Sequence, residues 1–215
     1  MSISAQDVAT LRSQTGAGML DCKKALDEAG GNMEKATDIL RSKGVAKAAK
    51  RAGKITAEGM VTSYIHGGRV GVLVEVNCET DFVAKNDSFK TLVGDIAMHI
   101  AAVSPRYVSR DEVPADVVER EKGVYAEQLK QEGKPAEMVE KIVQGKLNKF
   151  FSDICLLEQA FIKDEEKTVE QLLVEKTGEI GEKITVRRFA RYEVGEGIEK
   201  QVSDLAKDVA EQLGA

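Results

Sequence analysis

RVGVLVEVNCETDFVAKNDSFKTLVGDIAMHI, Arg69–Ile100, contains both of the periodicities from which the fold is built. Its first ten residues alternate with a period of two and place Val70, Val72, Val74, Val76 and Cys78 on one face of a strand. From Phe89 the period changes. Phe89, Leu92, Val93, Ile96, Ala97 and Ile100 recur at helical spacing, so a helix covers the valine face, capped by Asn86, Asp87 or Ser88 and stopped before Pro105. Between strand and helix lies NCETDFVAKNDS, Asn77–Ser88, read as a short loop on a rigid base. It sets Asp81 beside Phe82, a carboxylate next to a large apolar ring, with no obvious partner for either within the loop. Loops anchored at both ends by regular elements commonly carry function. The same pair also fits a helix-entry residue followed by a core residue.

Upstream, GMVTSYIH precedes Gly67-Gly68, whose tolerance of positive φ suits a two-residue turn, so residues 59–78 form a β-hairpin. Still earlier, three short helices are expected within residues 1–44. Ser4 caps the first, with Val8 and Leu11 inward, and TGAG at Thr15–Gly18 breaks it. Met19, Cys22, Ala25, Leu26 and Ala29 mark the second, closed by Gly30-Gly31. Asn32 caps the third, with Ala36, Ile39 and Leu40 inward and Gly44 as its end. Helices this short must share one small core. The module is either a plain docking unit or a binding face made by the TGAGML loop with Lys23 and Lys24. Residues 45–58 are rich in Ala and Lys and read as a linker, in part helical, whose basic residues are a solvated charged face or, less simply, an RNA contact.

Downstream, residues 59–113 form the first part of the core, and two long charged helices, about 115–132 and 136–152, flank Gly133-Lys134-Pro135. Their narrow apolar stripes, Val117, Val118, Val124, Tyr125 and Leu129 against Met138, Val139, Ile142, Val143, Leu147, Phe150 and Phe151, predict an antiparallel helical hairpin, an arm spanning 114–152. Residues 153–215 return to the core. ICLLEQAFI is a strand or irregular buried segment, and KTVEQLLVEK a helix capped by Thr168 with Gln171 three residues on. KITVRRFARYEV is a third strand with Ile184, Val186, Ala190 and Tyr192 on one face, and a last helix from Ile198 buries Val202, Leu205, Val209 and Leu213. Helices and strands are segregated, without β-α-β alternation, so the class is α+β with an antiparallel sheet.

Composition narrows the function. A chain of 215 residues, 42% hydrophobic and 31% charged, buries a core and is not disordered. It contains no run of eighteen apolar residues, and its opening MSISAQDVATLRSQ lacks the basic start and apolar stretch of a signal peptide, so a cytoplasmic location is expected. Three widely spaced cysteines, Cys22, Cys78 and Cys155, suit reduced thiols rather than a disulfide framework or zinc site. His66 and His99 stand too far from other ligand types to argue a metal or catalytic centre. The net charge of −5 divides unevenly: residues 1–54 hold ten Lys or Arg against six Asp or Glu, +4, which leaves −9 for the remainder. An acidic body with no Trp disfavours nucleic acid as the main partner.

The strongest signals are four stretches taken together. TGAGMLDCKKAL, VNCETDFVAKND, GKPAEMVEKIV and RYEVGEGIEK, in order from Leu11 to Lys200, resemble bacterial elongation factor Ts. What the resemblance implies is a guanine-nucleotide exchange factor for the translation GTPase elongation factor Tu. By that likeness the first three helices are a ubiquitin-associated-like domain that docks on the GTPase domain, assisted by the closing helix, with Met19, Leu20, Lys23 and Lys24 at the docking face. The core then contacts the GTPase and its third domain, and the helical hairpin is a coiled-coil arm. Thr80, Asp81, Phe82 and Val83 match the segment that dislodges Mg²⁺ from the partner, with Asp81 and Phe82 the intruding pair. Longer members carry two copies of the strand-and-helix unit and this chain has one; some short members form homodimers, so Leu73 and Ile65, opposite the valines, are expected to serve such pairing.

No G-x-x-x-x-G-K-[ST] pattern is present, so the chain itself is not expected to bind GTP, and no cofactor is expected. Two other readings stand beside exchange. One is a non-catalytic interaction scaffold with a helical docking domain, and the other a classical enzyme, which is weak because Cys78 has no neighbouring His and falls on the buried face of its strand.

Overall fold

The computed structural model describes residues 3–198. Its elements in chain order are α1 (Ala5–Thr15), α2 (Met19–Glu28), α3 (Met33–Arg51), β1 (Glu58–His66), β2 (Val70–Cys78), α4 (Asp81–Ala84), α5 (Asp87–Val103), α6 (Ala115–Gln131), α7 (Ala136–Ile154), β3 (Ala160–Phe161), β4 (Asp164–Thr168), α8 (Val169–Ile180) and β5 (Thr185–Glu193). The class is α+β: a three-stranded antiparallel sheet in the order β1-β2-β5, a small β3-β4 pair, and helices outside them.

Local chemistry sets most element ends. Ser4 and Asp7 form a reciprocal capping box on α1, Asn32 accepts from the Lys35 N–H at the start of α3, and Thr168 and Gln171 form a second box on α8. Gly67 and Gly68 both adopt positive φ, and the Arg69 N–H donates to the His66 carbonyl at 2.9 Å, which closes the β1-β2 hairpin. Val72, Val74, Val76 and Cys78 are buried beneath α5, whose Phe89, Val93, Ile96 and Ile100 are fully enclosed.

The third helix does not end at Gly44. It runs on to Arg51, because nothing after Gly44 breaks a helix and Ala, Lys and Arg are good helix formers. The added turns bring α3 against α8, where Gly44 and Gly178 allow backbone to meet backbone. The inward face of β5 also differs from its alternation. A bulge opposite Glu75 and Val76 lets Arg188 pair with Glu75 while Val186 pairs with Val76, so Arg187 is the extra residue. Beyond it the parity reverses. Phe189 packs toward the core, whereas Ala190 and Tyr192, expected on one face with Ile184 and Val186, are exposed while those two are buried. Arg187 and Arg188 both grip Glu75, at 2.9 and 2.7 Å, and hold its carboxyl down to about 2.

ICLLEQAFI becomes the end of α7, a 3₁₀ turn at Leu156–Glu158 and the short strand β3. α6 and α7 lie side by side in opposite directions: Lys146 of α7 donates to Gln128 and sits over the Tyr125 ring of α6. Leu129, Val143, Leu147, Phe151 and Ile154 form a core of their own, apart from that of the sheet. Val124 and Met138, expected in the stripe, are exposed. At the root, the Arg106 and Tyr107 N–H groups donate to the Ile154 carbonyl, and the Leu156 and Leu157 N–H groups donate back to the Tyr107 and Val108 carbonyls. The expected last helix beyond Ile198 lies outside the described residues.

Candidate functional site

The end of β2 aims the segment that follows it. Asn77 is buried and donates from Nδ2 to the Glu58 carbonyl of β1, and the Cys78 thiol donates to the Thr80 carbonyl at 3.2 Å. The expected loop contains one helical turn, α4, after which Asn86 caps α5 by accepting from the Ser88 N–H at 2.8 Å. A single turn cannot bury all of its side chains, so its residues divide. Val83 and Ala84 rest on the main core, while the Phe82 ring is 81% exposed.

Asp81 does have a partner within the segment, contrary to the sequence expectation. Its carboxylate accepts from Lys85 Nζ at 2.6 Å, one helical turn on. That hydrogen bond holds the Asp81 carboxyl below the usual aspartate range and pushes the Lys85 ammonium above its own. The tip therefore presents a bare aromatic ring beside a paired but accessible carboxylate.

Thr80 precedes α4 in extended conformation, yet its side chain does not cap the turn. Its hydroxyl donates to Glu182 Oε1 at 2.7 Å and its N–H to Glu182 Oε2 at 3.0 Å. Next to it, the Glu79 carboxylate accepts from the Lys183 N–H at 2.8 Å and pairs with Arg51, the last residue of α3, at 2.8 Å. These contacts hold the Glu79 carboxyl below its ordinary value, the Lys183 backbone bond most of all. Lys183 Nζ in turn donates to the Ala52 and Lys54 carbonyls. Sequence reasoning missed Glu79, Glu182 and Lys183, and no local pattern reveals them, since the bonded partners are about a hundred residues apart.

The second candidate surface lies at the start of α2. Met19 and Leu20 are exposed, as are Lys23 and Lys24, while Cys22, Ala25 and Leu26 fill the small core with Val8, Leu11 and Ala36. The preceding TGAG loop rests on α8, since a Cβ on Gly16 would collide with the Glu179 carboxylate. The structure thus brings the N-terminal helices and the Asp81-Phe82 turn onto the same end of α8 and the loop after it, without joining the two surfaces into one pocket.

The remaining reactive groups are enclosed. Burial pushes the Cys78 thiol up and the Cys155 thiol up to about 11, which disfavours the thiolate a nucleophile requires. His99 is buried between elements: its Nδ1 accepts from the Ile162 N–H, so its Nε2 carries the proton and donates to Gln159 Oε1 at 3.1 Å. Among the described residues no three His, Cys, Asp or Glu side chains gather as a metal site, and no helix is long and apolar enough to cross a membrane.

The accessible features at these two places are an exposed ring on a braced turn and an exposed apolar pair on a separate helix, while the thiols are buried. Comparison with known proteins gives the family. The family model described as Elongation factor TS matches residues 35–196. Over 215 residues, all of both chains, the sequence is 59% identical to elongation factor Ts of Geobacter sp. strain M21. It is 60% identical over 212 residues to that of Syntrophomonas wolfei, covering 98% of this chain and 99% of the relative. The chain belongs to the elongation factor Ts family, a family of translation elongation factors.

Proposed function

We propose that this chain is the guanine-nucleotide exchange factor of elongation factor Tu, releasing GDP by dislodging Mg²⁺ and so allowing GTP to load during translation elongation in the cytoplasm. The single observation that carries the reading is Phe82, an aromatic ring left almost wholly in water on a turn whose neighbours are fixed. A soluble fold gains nothing by exposing it there; a surface that closes over it gains roughly 2–3 kcal/mol. Mg²⁺ demands near-octahedral geometry at short distances, so a small displacement of the partner elements that organise it weakens its binding sharply. In this reading Phe82 is the wedge, Asp81 competes for polar groups released around the metal, and Thr80 and Val83 anchor the pair.

No covalent step is involved. Exchange is a coupling between two binding equilibria: the factor weakens nucleotide, and nucleotide weakens the factor to the same degree. α1–α3 serve as the ubiquitin-associated-like module that docks on the GTPase domain through Met19, Leu20, Lys23 and Lys24. The sheet region meets the third domain, and α6-α7 are the coiled-coil arm. Outside the valine face, Ile65, Leu73 and Tyr192 are 64%, 52% and 73% exposed on adjoining strands, an apolar surface suited to a second copy of the chain.

The test mixes the protein with elongation factor Tu carrying a fluorescent GDP analogue and follows release with and without excess Mg²⁺. Accelerated release that excess Mg²⁺ opposes is the expected result. Binding without acceleration would leave a docking scaffold in its place.

A further inference from the structure

Glu182 stands far from the turn in sequence, and its carboxylate bonds to Thr80, the residue just before α4. A Thr in extended conformation before a helix ordinarily turns its oxygen toward the first N–H groups of that helix. Thr80 instead spends its hydroxyl as a donor to Glu182, and its N–H goes to the other oxygen of the same carboxylate. A one-turn helix has almost no intrinsic stability, because nucleation costs more than one hydrogen bond returns. Its direction is therefore set by its attachments: Val83 and Ala84 on the core, and Thr80 on Glu182.

The attachment is doubled. Glu79 takes the Lys183 N–H while Glu182 takes the Thr80 N–H, so two consecutive pairs, 79-80 and 182-183, exchange hydrogen bonds through their carboxylates. This fixes the segment in rotation as well as position. The loop doing the holding leaves α8 at the point where Gly178 meets Gly44 and Glu179 meets Gly16. Arg51 adds a bond from α3 to Glu79.

We propose that Glu182 is a positioning residue for nucleotide release: it holds Thr80 so that the Phe82 ring meets the partner in one orientation, braced against the α3-α8 junction. The inference rests on the exchange-factor reading and deepens it. A wedge displaces a metal ligand only if its base does not yield, so loosening Thr80 should weaken the push and leave docking alone.

The experiment compares Glu182→Ala, Glu182→Gln, Thr80→Val and Phe82→Ala with the wild type in two measurements. Hydrogen exchange of the amides from Thr80 to Lys85 reads the brace in the free protein. Release of fluorescent GDP from elongation factor Tu, titrated with the factor, separates the maximal rate from the half-saturating concentration. Losing a hydrogen-bonded carboxylate corresponds to roughly a tenfold change in an equilibrium, so Glu182→Ala should speed exchange in the turn and lower the maximal rate by about tenfold, with half-saturation within about twofold. Thr80→Val and Glu182→Gln, which keep shape, should each fall between Glu182→Ala and wild type in both measurements, and they serve if Glu182→Ala does not fold. Unchanged amide exchange, or an unchanged maximal rate where Phe82→Ala is slow, overturns the positioning role alone. A wild-type rate from Phe82→Ala overturns the wedge reading and this inference with it.

Discussion

A Cβ built on Gly178 of α8 would lie 2.6 Å from the Cα of Gly44 on α3, whereas a Cβ built on Gly44 would meet nothing nearer than the Gly178 Cα at 3.9 Å. The close approach is one-sided. Gly178→Ala should force the two helices apart and destabilise the protein by about 1–3 kcal/mol, as overpacking against backbone does. Gly44→Ala should be neutral or stabilising by up to about 1 kcal/mol, because it removes a helix-interior glycine without a clash. Urea unfolding of both variants checks the asymmetry, and equal losses would show that the contact is not as one-sided as the backbone geometry implies.

Phe82→Ala should lower the rate of GDP release by about tenfold or more, since roughly 2–3 kcal/mol of ring burial is withdrawn from the step that displaces Mg²⁺. Its own folding stability should move by less than about 0.5 kcal/mol, the ring being in water. Asp81→Ala should be milder, and it also frees Lys85. Stopped-flow release ranks the two, and a larger loss from Asp81→Ala would make the carboxylate the principal intruder.

Leu73→Glu places a charge in the middle of the outer sheet face, where Leu73 lies between Ser63 and Ala190. The wild type should scatter light as a dimer at micromolar concentration and the variant as a monomer with unchanged thermal stability of the subunit. A monomeric wild type would remove the pairing role of this surface.

His99 gives stability a pH dependence of predictable sign. Burial lowers its pKa below the ordinary value of 6.5, so the unfolded chain takes up a proton more readily than the folded one. The contribution of neutral His99 is complete above pH 6.5 and is lost as pH falls from there through the folded value. His99→Gln, which can still donate to Gln159, should flatten the decline in melting temperature between pH 7 and pH 5. A slope equal to that of the wild type would assign the acid sensitivity to other groups.

Leu129 is 2% exposed in the separate core of α6 and α7. Leu129→Ala should cost about 2–5 kcal/mol within that unit. Hydrogen exchange in α6 and α7 should quicken while β1, β2 and α5 stay protected; uniform loss of protection would mean that the arm and the sheet unfold together.

What the sequence by itself determined is local. The valine alternation, the helical stripe from Phe89 to Ile100, the Gly67-Gly68 turn and the caps at Ser4, Asn32 and Thr168 all follow from side-chain periodicity or from hydrogen bonds spanning two or three residues, and all stand in the structure. The TDFVAKN segment was visible as a candidate because it interrupts two strong periods. Tertiary structure decided the rest, through contacts whose partners are far apart in the chain. Gly44 of α3 comes to lie against Gly178 of α8, and the bulge at Arg187, where two arginines converge on Glu75 across the sheet, reverses the faces of Ala190 and Tyr192. Thr80 leaves α4 uncapped and turns its hydroxyl and its N–H to the carboxylate of Glu182, about a hundred residues away. The ring of Phe82 is written in the sequence, but the stiffness behind it comes from hydrogen bonds that exist only after the chain has closed on itself.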